Sequence, residues 1–256
     1  MKKIAVLLLL TASFLACGGR TPRTVPGQLQ PGSAEYLANE GIGYLNDGRL
    51  EVAAERLTAA LKKNPHLATA LNAMALVHVY RREFPKAIEL LNRLLQVNPK
   101  FLDAYNLLGM VYTEQGNYEK AKENLIVAAN AEEYQTPENA YANLALLEIK
   151  FAKFDSALRY AEKGLLLNRS FAPLFNLKGQ ALENLNRLTD AAASYARALA
   201  LLASPDPLYL VNSARVASKL GDRKRALDQL EQALGRTQDA ALKAEILRLI
   251  RDLDNK

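Results

Sequence analysis

Few side chains in this chain have the chemistry to make or break a bond, and they are scattered. It has one cysteine, Cys17, and two histidines, His66 and His78. A single thiol cannot close an internal disulfide. His66 follows Pro65 in a connecting stretch, and His78 stands where a neighbouring segment has Tyr112. Both read as structural side chains rather than metal ligands or general bases. No G-x-S-x-G, H-E-x-x-H, C-x-x-C or Walker sequence occurs, so the usual nucleophile elbow, zinc helix, redox pair and phosphate cradle are missing. Gly41-Ile42-Gly43 has the start of a dinucleotide fingerprint, but no strand precedes it and the third glycine is lacking. Glu114 and Glu132-Glu133 have no carboxylate partner at catalytic spacing. The residues therefore describe a chain that is not an enzyme, with no cofactor, metal or small-molecule substrate, and whose business is binding.

The elements that would position a binding surface show best from Leu102 to Asn130, LDAYNLLGMVYTEQGNYEKAKENLIVAAN. Tyr105, Leu108, Gly109 and Tyr112 recur at spacings of three and four. After Gly116-Asn117 come Ala121, Leu125 and Ala128. This is the period of two amphipathic helices joined by a tight turn. Gly109 and Ala121 fall where the backbones approach most closely, with Leu108, Tyr112 and Leu125 filling the space around them. One hairpin leaves its outer faces bare. The pattern returns about every 34 residues, the mark of a stacked helical repeat.

These residues resemble the tetratricopeptide repeat, whose pattern is W-x2-L-G-x2-Y, then A-x3-F, then P. Six units fit, at 34–67, 68–101, 102–137, 138–171, 172–206 and 207–234. Each has alanine at its twentieth position: Ala53, Ala87, Ala121, Ala157, Ala191 and Ala226. Two extra residues precede Glu138 and one follows Ala203, both between units where a loop absorbs them. A last amphipathic segment, 240–254, carries Leu242, Ile246, Leu249 and Leu253 on one stripe, as a cap over the exposed end of a stack does. The expected fold is all-α, a right-handed α-solenoid of six repeats with a C-terminal capping helix.

Composition agrees with a folded body: 50% of the 256 residues are hydrophobic and 23% charged. The net charge of +6 comes with no recognised nucleic-acid motif, so scattered cations on solvated helices account for it and no nucleic acid is expected.

Residues 1–17 read MKKIAVLLLLTASFLAC. Two lysines and an apolar run too short to span a bilayer make a secretory leader. Ala16-Cys17 resembles the lipobox of bacterial lipoproteins, although Phe14 and Leu15 replace its usual Leu and small residue. The resemblance implies cleavage after residue 16, lipid on Cys17 and, with Gly18 rather than aspartate next, the periplasmic face of the outer membrane. Residues 18–33, GGRTPRTVPGQLQPGS, are a tether without apolar period.

In tetratricopeptide arrays the first helix of each unit lines the binding groove. Carrying the family's positions over residue by residue places Ile42 and Leu45, then Asn72, Leu76, Val79 and Tyr80, then Asn106, Met110 and Thr113, then Ala142, Leu146 and Ile149 in that groove. Few are charged, and apolar surface left open to water marks a partner site. Units five and six turn polar, with Asn176, Gln180, Glu183, Asn184, Arg215, Ser218 and Lys219. The Lys and Arg clamp by which chaperone-binding members hold a C-terminal carboxylate is absent.

A lipidated array of six such repeats, with the lengthened junction NAEEYQTPENAYANLALLEI carrying Tyr134 and Pro137, resembles the type IV pilus pilotins, the PilF, PilW and Tgl group. That resemblance implies binding to a secretin subunit, promoting its outer-membrane localisation and multimerisation for pilus biogenesis. The alternative is a general periplasmic adaptor docking cell-wall enzymes or proteases.

Overall fold

The computed structural model describes residues 30–254; the leader, Cys17 and all of the tether before residue 30 lie outside them. Among the described residues there are thirteen helices and no strand. In chain order they are α1 (Ala34–Asn46), α2 (Leu50–Lys63), α3 (Ala68–Tyr80), α4 (Phe84–Val97), α5 (Leu102–Glu114), α6 (Tyr118–Asn130) and α7 (Pro137–Lys150). Then follow α8 (Phe154–Leu167), α9 (Ala172–Asn184), α10 (Leu188–Ala200), α11 (Pro207–Lys219), α12 (Arg223–Arg236) and α13 (Ala240–Asp254). None is long and apolar enough to cross a membrane. The chain divides into two compact bodies, 30–143 and 144–254, with the boundary inside α7.

Six turns join the helices of each pair, and they share one hydrogen-bond pattern. In the first, Gly48 N–H donates to Leu45 C=O at 3.0 Å and Arg49 N–H reaches back to Tyr44 C=O at 2.8 Å. The last turn repeats this with Gly221 to Ser218 at 3.1 Å and Asp222 to Ala217 at 2.9 Å. These bonds satisfy the carbonyls orphaned at a helix end, and they require a left-handed residue in the middle. Gly48, Gly116 and Gly221 supply it with φ of 73°, 74° and 82°; Arg82, Ala152 and Asn186 adopt the same region at 59°, 56° and 59° despite their side chains.

The longer connections between pairs are held by side chains. Asn64, Asn98 and Asn168 accept from the backbone N–H two residues on, at 3.1, 3.1 and 3.0 Å, closing local turns. Asp206 caps α11 by accepting from Leu208 N–H at 2.7 Å, and Asp239 accepts from Ala241 and Leu242 N–H at 2.8 and 2.9 Å. In the lengthened loop, Tyr134 is buried and its hydroxyl donates to Asp103 Oδ1 at 3.1 Å.

Packing separates first helices from second ones. The second helices bury one narrow stripe each, such as Ala87, Leu91 and Leu94 on α4 or Ala157, Ala161 and Gly164 on α8. The first helices are covered nearly all round: α3 buries Ala70, Leu71, Ala73, Met74, Ala75, Leu76, Val77 and Val79. In the first body Leu57, Leu71, Leu91, Leu94 and Leu108 share one core. In the second, Leu182, Ala191, Tyr195 and Val216 form one cluster, and Leu210, Leu230, Leu242 and Ile246 form another that buries the inner stripe of α13.

Candidate partner-binding surface

In the first body, the groove positions join the hydrophobic core more than they stand open. Leu45, Leu76, Val79 and Met110 are 4, 3, 8 and 8% exposed and belong to the main cluster, with Ile42 and Tyr80 packed half-buried against it. Burial raises the Tyr80 phenol pKa above its ordinary value. Thr113 is buried and its hydroxyl donates to Gly109 C=O at 2.8 Å, within its own helix. Ala142 is buried as well. Side-chain area for a partner in this body is therefore concentrated at Ile42, Asn72 and Tyr80. In the second body Leu146 and Ile149 are half-buried, three residues apart on α7 and so on one face of it.

The asparagines at the groove positions pair across adjacent first helices. Asn143 Nδ2 donates to Asn106 Oδ1 at 2.8 Å, and in the second body Asn212 Nδ2 donates to Asn176 Oδ1 at 3.1 Å; both pairs are buried. Asn72 occupies the equivalent place one unit earlier, but the residue at the partner position is Leu107. Its Oδ1 is buried with no hydrogen-bond partner.

The polar end of the second body is a connected network that spacing alone did not reveal. Glu183, its side chain 6% exposed, accepts from Lys219 Nζ at 2.9 Å and from the Tyr195 hydroxyl at 3.0 Å, and Arg215 lies 3.7 Å away. Arg215 also bonds Asn212 Oδ1 at 3.3 Å and Glu245 on the capping helix at 3.4 Å. Burial first, and then the Glu183 charge, pushes the Tyr195 phenol well above its ordinary pKa. The signal that could have found this was a carboxylate in the last turn of a first helix, with cations 32 and 36 residues on. Its function here is to tie α9, α10, α11 and α13 together; Arg215 and Lys219 are already engaged by carboxylates.

His78 bonds Glu83 Oε2 at 2.5 Å across the turn after α3, and that bond, followed by Lys86, lowers the Glu83 pKa. Among the described residues no group of three or more His, Cys, Asp or Glu side chains could hold a metal. What the groove positions leave partly open is Ile42, Asn72, Tyr80, Leu146 and Ile149.

The comparisons with known proteins bear on the fold. No curated protein sequence matches this chain. Among solved structures, PilF of Pseudomonas aeruginosa superposes with a TM-score of 0.70 at 24% identity, over 84% of this chain and 97% of PilF. PilW, described as a widely conserved type IV pilus biogenesis factor, gives 0.73 at 19% identity over 84% of this chain and 98% of its own. A tetratricopeptide repeat protein from Parabacteroides merdae gives 0.69 at 21% identity over 95% and 92%. At these identities the likeness is one of fold. A family model, that of the tetratricopeptide repeat, matches residues 72–133 and 142–206. That repeat is a protein-interaction scaffold, and no catalytic family is indicated. With the helix pairs, the shared turns and this match together, the chain is a tetratricopeptide-repeat protein.

Proposed function

We propose that this chain is a lipid-anchored scaffold on the periplasmic face of the outer membrane that binds a secretin subunit and promotes its localisation and multimerisation for type IV pilus biogenesis. The observation that carries the reading is the fold-level likeness to PilF and PilW, matched over 97 and 98% of those chains, in a chain whose sequence also has a leader ending at a lone cysteine. The leader ending at Cys17 supports the anchor. Repeats of this kind serve many partners, so the test must read the secretin itself. In a deletion strain, secretin should persist as monomers or at the wrong membrane, with no surface pili. Normal heat-resistant secretin multimers in that strain would overturn the proposal. Palmitate labelling should mark the wild type and not Cys17→Ala; label retained on that variant would refute the anchor.

A further inference from the structure

The residue directly after each first helix occupies the same place in all six turns, donating its N–H to the carbonyl four residues back: Asp47, Arg81 and Gln115, then Phe151, Leu185 and Leu220. It is polar in the first three turns and large and apolar in the last three. Those last three all lie in the second body. Phe151 is 37% and Leu220 47% exposed, and Leu185 is half-buried. Apolar side chains at three equivalent tips are not required by the turn, since Asp47, Arg81 and Gln115 make the same bonds.

Topology brings the three tips to one edge. Helices α8 and α9 pack antiparallel, so the turn before α8 and the turn after α9 share an end, and α10 with α11 extends the relation to Leu220. Neighbouring helices lie about 10 Å apart, so the three tips stand in a row along this edge. Around it stand the exposed cations Lys153, Arg187, Arg223, Lys224 and Arg225. The exposed carboxylates at this edge are Asp155, Asp190 and Asp222, with Asp252 on the returning capping helix beside Ser218 and exposed Lys219; Asp190 is held by Arg187 at 2.7 Å. Cations are in excess here, as they are over the whole of 144–256, with 18 Lys and Arg against 13 Asp and Glu. Residues 34–143 have the opposite balance, 11 against 14.

We propose that this edge of the second body docks on an anionic phospholipid bilayer, with Phe151, Leu185 and Leu220 entering the interface and the surrounding cations meeting the headgroup charge. Partly exposed apolar tips ringed by cations suit an interfacial membrane contact, in which a shallow apolar insertion is combined with attraction to acidic lipid. An acidic protein would satisfy the cations but would not account for partly exposed apolar side chains at three equivalent turns.

The rest of the surface supplies a control. Leu166 and Leu167 are 74 and 57% exposed, more than any of the three tips. They end α8, about 20 Å from the Phe151 turn at 1.5 Å per residue, and so lie at the opposite end of the same helix.

Every buried residue among those described lies between Ala34 and Leu253, so a chain beginning at Gly18 keeps the packed body and contains no cysteine. Leu220→Cys and Leu167→Cys in that chain each take one environment-sensitive fluorophore. On phosphatidylcholine vesicles containing one-third phosphatidylglycerol, the label at 220 should shift to the blue and the label at 167 should not; pure phosphatidylcholine should shift neither. Sedimentation with the anionic vesicles should fall about tenfold for Phe151→Ser with Leu220→Ser and for Lys224→Glu with Arg225→Glu, and stay unchanged for Leu166→Ser with Leu167→Ser. A shift at 167 instead, equal binding to neutral vesicles, or binding to soluble polyglutamate with no response at 220 on vesicles would each overturn the proposal, the last assigning the edge to an acidic protein.

Discussion

A methyl group placed on Gly109 would stand 2.3 Å from the Cγ of Leu125, which is fully buried. The two helices of this pair are therefore in contact through a bare backbone on one side and a leucine on the other. Gly41 meets Leu57 in the same way at 2.7 Å, and Gly179 meets the Tyr195 ring at 2.6 Å.

Gly109→Ala should destabilise the fold by about 1–3 kcal/mol, the usual penalty for overpacking a filled core. Gly43→Ala is the counterpart, since nothing lies within 4 Å of a Cβ there; on α1 it should stabilise by about 0.5–1 kcal/mol through helix propensity alone. Urea melts of the two variants should move in opposite directions.

How far the sequence could be read follows from the same residues. The contact between Gly109 and the face of Ala121 and Leu125 was legible because helical period places one face of each helix, and a glycine in the middle of such a face marks where two backbones come together. What period does not give is how much of a first helix is covered. Leu76 and Met110 were expected in an open groove, yet they are 3 and 8% exposed. The sequence of α3 held the clue: ALNAMALV is apolar nearly all round, and such a helix is buried on every side. The Glu183 network was legible only as cations 32 and 36 residues on from a carboxylate, for a different reason. Its members come from four helices, and their meeting depends on side-chain directions that spacing does not specify.

Ala152 takes the left-handed position of its turn at φ 56°, where Gly48 and Gly116 stand in other turns. A left-handed non-glycine residue costs about 1–2 kcal/mol, part of which is returned as chain entropy when glycine replaces it. Ala152→Gly should thus stabilise by about 1 kcal/mol, raising the melting temperature by roughly 2–4 °C if the whole described chain melts as one unit. Asn186→Gly should gain less, because asparagine tolerates this conformation.

The asparagine pairs give a contrast between two chemically equal substitutions. Asn106→Leu leaves the buried Nδ2 of Asn143 without its acceptor and should destabilise by about 1–3 kcal/mol. Asn72→Leu removes a carbonyl oxygen that has no partner, so its melt should equal or exceed that of the wild type. Equal losses from both would show that the pairing does not matter.

Burial raises the Asp103 carboxyl pKa above the ordinary aspartate value, against a smaller lowering by the Tyr134 hydroxyl. The folded chain then holds this proton more tightly than the unfolded chain. Its contribution to stability is full below the ordinary aspartate pKa and is lost as pH rises through the raised one. Asp103→Asn cannot ionise and can still accept from Tyr134. It should melt above the wild type at neutral pH, with the difference closing in acid; a difference independent of pH would refute the burial argument.

Leu146 and Ile149 share one face of α7 and keep part of their apolar area open. If a secretin segment covers both, each gives at most about 1.5–3 kcal/mol, against an association cost of about 4–15 kcal/mol. Two anchors alone bind weakly, and confinement to the same membrane as a multimeric partner would supply the missing effective concentration. Leu146→Glu places a charge on that face without removing a helix hydrogen bond. It should weaken secretin binding by about 2 kcal/mol, some thirtyfold, as loss of a central anchor does. Met110→Ala tests the opposite case: Met110 is 8% exposed, so its truncation should lower stability by about 2–5 kcal/mol and change affinity little in the fraction that stays folded. Arg215→Ala and Lys219→Ala, whose charges already meet Glu183 and Glu245, should also leave affinity near wild type. Titration of each purified variant with a secretin fragment, beside its thermal melt, separates the two effects. A folded Leu146→Glu protein that binds with wild-type affinity would remove α7 from the binding surface.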